Sequence, residues 1–510
     1  MNLARHSISS TAPVLIFDAR FDPDCRIFTT STQAGFAVYR TWPLQLLRKR
    51  EITGGTLSAV VPLHTSSLLF LVGGGRSPRY PPNKVILWDD ALAQEVAELE
   101  FREKVRGLAC RRGWLAVALR RRVVVFQVGE TVSRYGEWDT CDNPRGLLAI
   151  ATAAYSTLLA VPGRQLGHIQ LIHLPPCPPP TPIGPPSSTP PPRPPPAPTK
   201  HPVSIIAAHQ SALSTLSVPP SGKLLATTSS RGTLIRIWDT TTGKLVRELR
   251  RGADKAEIYG VAFRPDEREV CVWSDKGTVH VFSLTSGTGA SNRQSTFSPL
   301  TPFIPLPKYF DSEWSYAQYR IPSQSAHISL SAQPAKPPTA DVVDEEKCVV
   351  GWIQVAPEDT DEPRRLQVPE YQLVALTYTG GWYRLALPSS SASSSSSGPL
   401  TGPSNVRPGT LSARDQISTS PPSVRAISTA RPRSSSGSSF AARSDKGKER
   451  ERDQDEKPGR ECILREYRRF GRIRIPPHHT PGFFVLVTIM FMGLDVFIRI
   501  SCSAFEMIHM

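Results

Sequence analysis

The chain has 510 residues, a formal net charge of +16 and a pI near 9.7, a balance that favours acidic partners such as nucleic acid, anionic lipid headgroups or acidic peptides. Fifty prolines and long Ser-rich tracts reduce the part that can fold to about 350 residues, which still suffices for a substantial core. Eight cysteines are scattered without CxxC spacing or a recognisable signal-peptide core, which predicts a reduced, cytoplasmic protein. No platform of interleaved aromatic and basic residues is recognisable, so we expect no nucleic-acid partner.

Short β-patterned runs recur from about residue 14, and several end in an aromatic residue before a turn, as residues 35–39, 84–89, 122–126, 233–239 and 278–282 do. Trp88-Asp89 and Trp238-Asp239 are strand ends of the WD type, and a spacing of about 40 residues is typical of propeller blades. The pattern predicts an all-β, seven-bladed β-propeller over residues 14–472 with disordered insertions. The expected sheets span residues 14–47, 57–100, 101–140, 144–174, 202–248, 255–320 and 345–472, the last interrupted before its fourth strand.

The first insertion, residues 175–202, holds 16 prolines in 28 positions. This composition predicts a stiff polyproline II spacer between the fourth and fifth blades. The alternative is a docking ligand for a proline-recognising domain.

Residues 285–320 carry more apolar and aromatic side chains than a solvated loop needs. The segment either packs on the propeller or enters a membrane interface. For the second case we predict membrane insertion by Phe297, Leu300, Phe303 and Ile304.

Two further segments look unlike propeller sequence. Residues 388–460 are Ser-rich and then dense in mixed charge, which predicts disorder. Residues 473–510 form an atypical apolar tail, in which Asp495 and Arg499 interrupt a run shorter than the ~20 residues of a spanning helix. An interfacial helix or a translation artefact therefore fits this tail better than a transmembrane anchor.

Arg250 and Arg251 stand side by side in an extended segment, so their side chains should point to opposite faces and serve two separate pockets. A guanidinium is a planar fork suited to phosphate oxygens. The pair lies between two similar segments, residues 229–238 and 274–282, and aligning their Gly-Thr pairs places Arg236 opposite His280. The arrangement predicts a double phosphate-recognition site, against the alternative of a solvated basic surface.

Catalysis is not expected. The run of three glycines at residues 73–75 lacks the Gly-Lys-Ser/Thr of a phosphate-binding loop. No cluster of metal ligands and no nucleophile elbow is recognisable, so we predict neither a metal site nor a cofactor.

Several motifs together resemble the PROPPIN family, the β-propellers that bind polyphosphoinositides in autophagy and endolysosomal traffic. They occur at residues 72–90, 208–209, 225–239, 249–263, 274–282, 306–315 and 466–471. The motif Leu249-Arg250-Arg251-Gly252 begins with Leu where the family usually has Phe, and this resembles the branch that includes the yeast swollen-vacuole homologue.

The resemblance implies two headgroup sites on blades five and six. The first would use His209, Ser229, Thr233, Arg236 and Arg250, and the second would use Arg251, Ser274, Thr278 and His280. It also implies phosphatidylinositol 3-phosphate and phosphatidylinositol 3,5-bisphosphate as ligands. The protein would be a monomer, peripheral on preautophagosomal, endosomal and vacuolar membranes, and would act as a scaffold with an autophagy lipid-transfer protein as one partner.

Three alternatives stay open at this point. His209 could be a structural histidine that holds a turn, as in many WD repeats, and Thr233 and Thr278 could simply be good strand formers. The whole chain could be a WD-repeat scaffold whose arginines meet an acidic peptide and no lipid. If His209 and His280 must be protonated to bind, affinity should fall as pH rises above about 6.5.

Overall fold

A computed structural model describes residues 16–64, 66–179, 203–285, 291–294, 312–322, 347–355, 370–388 and 460–470. The chain divides into two compact units, one of residues 1–388 with 459–510 and one of residues 389–458. Every described residue belongs to the first unit. The predicted disordered insertion 388–460 and the tail 473–510 lie almost wholly or wholly outside the described residues.

The described strands form seven sheets, which we number as blades in chain order. Their strands pair antiparallel, except for a parallel edge strand in the fifth and in the sixth sheet. Blade 1 contains β1 (Ile16–Phe21), β2 (Ile27–Thr32), β3 (Gly35–Arg40) and β4 (Gln45–Glu51). Blade 2 contains β5 (Leu57–Pro62), β6 (Leu68–Gly73), β7 (Lys84–Asp89) and β8 (Gln94–Glu100). Blade 3 contains β9 (Gly107–Arg111), β10 (Trp114–Ala118), β11 (Arg122–Val128) and β12 (Val132–Asp139).

The remaining blades receive strands from more distant parts of the chain. Blade 4 contains β13 (Ala149–Ile150), β14 (Leu158–Pro162), β15 (His168–His173) and β16 (Ile205–Ala207). Blade 5 contains β17 (Leu213–Ser217), β18 (Leu224–Ser229), β19 (Leu234–Asp239), β20 (Leu245–Arg250) and β24 (Glu313–Trp314). Blade 6 contains β21 (Ile258–Phe263), β22 (Glu269–Ser274), β23 (Thr278–Ser283), β25 (Ala317–Arg320) and β29 (Arg460–Glu461), and blade 7 contains β26 (Cys348–Val355), β27 (Glu370–Thr377), β28 (Gly381–Ala386) and β30 (Ile463–Arg469).

The prediction of an all-β, seven-bladed propeller is confirmed. The first strand of every blade lines a central cavity of about 470 Å³, to which Ala19, Val61, Cys110, Ile150, Leu216, Ala262 and Val350 contribute. Blades 7 and 1 close the ring, where the Ile16 N–H donates to the carbonyl oxygen of Tyr378 at 3.3 Å.

Seven clusters of buried apolar side chains fill the gaps between neighbouring blades, one cluster for each pair. Each sheet is therefore covered on both faces, which explains why its middle strands read as continuous apolar runs. β10 and β14 are buried at every position, whereas the outer strand β8 is mostly exposed.

The expectation that the proline-rich insertion separates blades 4 and 5 is wrong. β16 follows the insertion in sequence, and it pairs with β15 through His168, Ile169 and Gln170. The insertion therefore interrupts blade 4 between its third and fourth strands. Residues 180–202 lie outside the described residues.

The segment predicted as a loop over residues 285–320 ends in strands. β24 adds to blade 5 as a parallel neighbour of β20, and β25 is the fourth strand of blade 6. We call Ser312–Ser315 the return arm, because the chain comes back along it from blade 5 to blade 6. Phe297, Leu300, Phe303 and Ile304 lie outside the described residues.

Candidate functional site

Blades 5 and 6 each present a strand, a tight turn and a second strand at the same end of the sheet. In blade 5 the turn joins β18 to β19, and in blade 6 it joins β22 to β23. Both turns require glycine, because Gly232 and Gly277 have φ values of 66° and 67°. A Cβ at Gly232 would also lie 1.8 Å from the carbonyl oxygen of Ala256, so the following segment packs directly on this turn.

The strand register makes Arg236 and His280 equivalent positions, as the alignment of the two segments predicts. Arg236 faces Thr227, and His280 faces Val272. Each of these partners stands two residues before the last serine of its strand, Ser229 in blade 5 and Ser274 in blade 6. The two units therefore share one backbone plan and differ in side chains.

Arg250 and Arg251 stand between these two units and contact different neighbours. Arg250 ends β20, and its Nε donates to the Ser312 hydroxyl at 2.7 Å, while its guanidinium lies 6.0 Å from the centre of the Trp314 ring. Arg251 donates from Nε to the carbonyl oxygen of Gly232 at 2.9 Å and from Nη2 to that of Asp254.

Both arginines are largely buried, with 7% and 8% exposure. Burial lowers the pKa of Arg251, and the nearby carboxylates of Asp275 and Asp254 oppose that change. The hydrogen bonds of the two guanidinium groups include those to the hydroxyl of Ser312 and to the carbonyl oxygens of Gly232 and Asp254. An anion reaching either one would meet a positioned fork donor.

In the first predicted site, His209 and Arg236 lie close together, and each already makes hydrogen bonds within the protein. His209 Nε2 lies 2.9 Å from the hydroxyl of Thr227, which also accepts a hydrogen bond of 3.0 Å from Trp238 Nε1. Arg236 donates to Glu248 at 2.9 Å and to the carbonyl oxygen of Ala208 at 2.7 Å. The contact of His209 with Thr227 is of the kind expected for a histidine that holds a turn.

Ser229 and Thr233 flank the blade 5 turn. Ser229 is buried at the end of β18, and its carbonyl oxygen accepts from the Gly232 N–H. Thr233 is half-buried, and its carbonyl oxygen accepts from the Arg251 N–H at 3.0 Å. These backbone contacts bring both hydroxyl-bearing residues next to the arginine pair.

In the second predicted site, His280 is buried on β23, and its Nδ1 lies 3.2 Å from the Ser315 hydroxyl. Ser274 is buried, while Thr278 is half-buried and pairs with Arg320 across β23 and β25. The positive charge of Arg251 acts on the His280 ring, which places the two groups in one environment.

Burial lowers the pKa of both histidines to about 4. The neighbouring cation lowers it further in each case, Arg236 beside His209, and Arg251 and Arg293 beside His280. Both imidazoles are therefore neutral near pH 7 in the ligand-free protein. The hypothesis that ligand affinity falls above about pH 6.5 stays a prediction, and it requires the bound phosphate to raise the pKa of these rings.

Sequence reasoning missed the residues that the return arm contributes. Ser312 contacts Arg250, Ser315 contacts His280, and Arg293 donates from Nε to the Ser315 carbonyl oxygen at 3.1 Å. Glu313-Trp314-Ser315 was among the motifs that carried the family resemblance, but nothing in the sequence indicated which groups these residues meet.

The part of the chain that the structure describes lacks two features, a metal-ligand cluster and a membrane-spanning helix. It holds no group of three or more His, Cys, Asp or Glu side chains that could bind a metal ion. It also has no helix with the length and apolar character needed to cross a bilayer.

A family model for PROPPIN matches residues 198–310, the part that contains both units and the arginine pair. SVP1-like protein 2 of Pichia angusta is 33% identical over 321 residues, which cover 62% of this chain and 83% of that protein. The chain belongs to the PROPPIN family. Autophagy-related protein 18e of Arabidopsis thaliana is 32% identical, over 60% of this chain and 75% of that protein.

The PROPPIN fold is also seen in a solved structure of Kluyveromyces lactis Hsv2. That structure covers 74% of this chain and 94% of its own length with a TM-score of 0.51, at 21% identity. As a PROPPIN, this protein is an autophagy-related, phosphoinositide-binding propeller of a family that binds and scaffolds and does not catalyse. Peripheral association with membranes is the family's mode.

Proposed function

We propose that this PROPPIN is an effector of phosphatidylinositol 3-phosphate and phosphatidylinositol 3,5-bisphosphate, with one headgroup site on blade 5 and one on blade 6. The first site is formed by His209, Ser229, Thr233, Arg236 and Arg250, and the second by Arg251, Ser274, Thr278 and His280. The observation that supports the proposal is that the two arginines have different neighbours. Arg250 donates to Ser312 of the return arm, whereas the charge of Arg251 acts on His280 and Asp275 of blade 6.

The chemistry of a phosphomonoester supports this assignment. Such a group carries up to two negative charges and several acceptor oxygens, so it is matched by fork donors and by hydroxyls that rotate to suit. A neutral imidazole contributes one N–H donor without a charge. The cationic side of each site therefore rests on the arginines, and the histidines act as hydrogen-bond donors until the phosphate itself raises their pKa.

Two linked sites explain how modest contacts give stable recruitment. One basic residue near an anionic membrane contributes only ~1 kcal/mol, so a single site binds loosely. Two sites on one rigid pair of blades raise the effective concentration of the second headgroup once the first is bound.

We further propose that Phe297, Leu300, Phe303 and Ile304 enter the membrane interface as a third contact. Replacing all four with Ser should weaken flotation with phosphatidylinositol 3-phosphate liposomes about tenfold, because each buried apolar side chain contributes to partitioning. Binding of soluble inositol 1,3-bisphosphate should not change. Equal weakening of liposome flotation and of inositol 1,3-bisphosphate binding would contradict a role of these residues in membrane insertion.

On membranes we propose that the protein is a scaffold, with an autophagy lipid-transfer protein as one partner. A fluorescent fusion should collect on preautophagosomal, endosomal and vacuolar membranes and disperse when Arg250 and Arg251 are both replaced. Retention of the replaced fusion on those membranes would show that a protein partner, and not lipid, recruits it.

The direct test is liposome flotation with the double variant Arg250→Thr/Arg251→Thr. Because the first site loses one of its two arginines and the second site loses its only one, the fraction floated with phosphatidylinositol 3-phosphate or phosphatidylinositol 3,5-bisphosphate should fall at least tenfold. The matched control is Arg48→Thr/Lys49→Thr, which removes the same charge from exposed positions of β4 on blade 1. The control should float like the unaltered protein.

Unchanged flotation of the Arg250→Thr/Arg251→Thr variant would refute the proposal. Competition separates it from the alternative of a protein-only scaffold that binds acidic peptides. Soluble inositol 1,3-bisphosphate should release the protein from liposomes, whereas an acidic peptide of equal charge should not.

A further inference from the structure

A second cationic region lies at one mouth of the central channel, and none of the residues predicted for the two headgroup sites lines it. Two cavities of about 420 and 220 Å³ adjoin there, and they share Arg20, Arg106, Gly107 and Leu108 in their walls. The larger cavity is bounded by the first strands of blades 5 and 6, through Ser214 and Tyr259 among others. Together the two cavities form one recess at the channel mouth.

Every ionisable side chain that lines this recess with a charge at pH 7 is cationic. Arg20, Lys104, Arg106 and Arg145 line one or both cavities, and neither lining contains Asp or Glu. The cavity on the inner side differs, because Asp18 and Asp22 line it together with Arg20. The charge of the channel is therefore uneven along its length, and the recess is its positive end.

The cations come from separate parts of the chain that the fold brings together. Arg20 belongs to β1, Arg106 precedes β9, and Arg145 precedes β13. The last two segments pack backbone against backbone, since a Cβ at Gly107 would lie 2.1 Å from the carbonyl oxygen of Gly146. Gly146 has a φ of 66°, which favours glycine. This close approach sets Arg106 and Arg145 beside each other at the recess.

Only part of this charge is neutralised. Arg20 donates to Asp18 at 2.6 Å, and Arg145 donates to the exposed Glu257 at 2.8 Å and to the Ser214 hydroxyl at 3.0 Å. Within the described ranges, no ion pair involves Lys104 or Arg106. Lys104 and Arg106 are exposed, and the charge of Arg106 also helps to lower the pKa of Asp142. The recess therefore keeps part of its positive charge and attracts anions.

We propose that this recess binds a compact soluble polyphosphate, independently of the headgroup sites on blades 5 and 6. Guanidinium forks from β1 and from two interblade segments would converge on its phosphate oxygens, and the hydroxyls of Ser58 and Ser214 lie in the same walls. A bound polyanion would bridge blade 1 to the segments that lead into blades 3 and 4. Its chemistry is that of an inositol polyphosphate or of a linear polyphosphate, and titration with each distinguishes these two sources.

The test is calorimetric titration of the full chain carrying Arg250→Thr and Arg251→Thr, so that the headgroup sites do not contribute. Inositol hexakisphosphate and tripolyphosphate are the two probes. Adding Lys104→Ala and Arg106→Ala should weaken binding of the preferred probe at least tenfold, because both exposed side chains lack ion pairs and their loss leaves folding contacts intact. The matched control adds Arg102→Ala and Arg121→Ala, exposed cations that line neither cavity, and should change affinity less than twofold.

Tighter binding of inositol hexakisphosphate assigns the recess to a phosphorylated ring, and tighter binding of tripolyphosphate assigns it to a linear chain. Absence of binding for both probes overturns the proposal, as does equal weakening by the control pair, which would indicate diffuse surface charge. Displacement of either probe by a lower concentration of a polyglutamate peptide also overturns it.

If the Arg250→Thr/Arg251→Thr background does not fold, the substitution Lys104→Ala/Arg106→Ala is made in the otherwise unaltered chain. That chain should then bind about one polyanion fewer, and an unchanged stoichiometry would contradict binding at the recess.

Discussion

Blades 5 and 6 share the same strand-turn-strand backbone, but the side chains at equivalent positions differ in whether they form hydrogen bonds. In blade 5 a chain of hydrogen bonds links His209, Thr227 and Trp238. In blade 6 the positions equivalent to Thr227 and Trp238 are Val272 and Phe282, which neither donate nor accept side-chain hydrogen bonds. The histidine of blade 6 is His280, and its Nδ1 lies within hydrogen-bond distance of the Ser315 hydroxyl on the return arm.

The difference teaches that matching residue types in two repeats do not carry matching roles. His209 bonds to Thr227 of β18, which ties it to the fold of blade 5, whereas His280 bonds to Ser315 of the return arm. Headgroup recognition by the two sites is therefore expected to depend on different side chains. Three measurements test the difference between the two blades.

The largest expected effect is a loss of stability in acid. Both histidines have a pKa of about 4 in the folded chain, against about 6.5 when unfolded, so the unfolded state binds more protons between these values. Their contribution is fully present above about pH 6.5 and is lost as pH falls toward 4, by on the order of 3 kcal/mol for each histidine. Urea unfolding of His280→Gln and His209→Gln at pH 7 and pH 4.5 should each show a smaller acid loss than the unaltered protein.

An acid loss that neither variant reduces would contradict the burial of these rings. The two variants should differ at pH 7, because His209→Gln also breaks the contact with Thr227. His280→Gln should retain more of the free energy of unfolding there.

The second effect concerns the hydrogen-bond chain that blade 6 lacks. Thr227→Val keeps the shape of the side chain but leaves His209 and Trp238 Nε1 without their shared partner, which should lower the free energy of unfolding by about 2 kcal/mol. Thr227→Ser keeps the hydroxyl and should cost about 1 kcal/mol, the loss of one methyl group. Denaturant titration measures both, and a Val variant as stable as the Ser variant would show that the chain contributes nothing.

The smallest effect tests the return arm. Ser312→Ala removes the acceptor of Arg250 Nε, and Ser315→Ala removes the partner of His280 Nδ1. Each should weaken binding of phosphatidylinositol 3-phosphate liposomes about two- to fivefold, because one positioning hydrogen bond contributes about 0.5–1 kcal/mol. Ser291→Ala, an exposed serine of the same insertion, is the control. If all three variants bind alike, the arm does not position the sites.

Much of the fold could be predicted from local patterns. Runs such as Arg122–Val128 are long enough to show β character, and their spacing predicts seven blades. The error at the proline-rich insertion has a physical cause. β16 has three residues and only Ile206 is buried, so it is too short to show alternation, and only its pairing with β15 reveals its blade.

The candidate site divides in the same way. The divergence of Arg250 and Arg251 follows from strand geometry and could be predicted from two adjacent residues. The contacts of Ser312 with Arg250 and of Ser315 with His280 span 62 and 35 residues, and no local pattern reports them. The cationic recess is less visible still, because its members come from three segments that lie far apart in the chain.

The sequence by itself determined the class of fold, the two related units and the place of the arginine pair, because strand period and turn chemistry are local properties. Tertiary structure alone decided which histidine bonds to a threonine, which serines contact the site residues and where the cations of the recess come together. Those outcomes depend on contacts between blades, and such contacts exist only once the ring has closed.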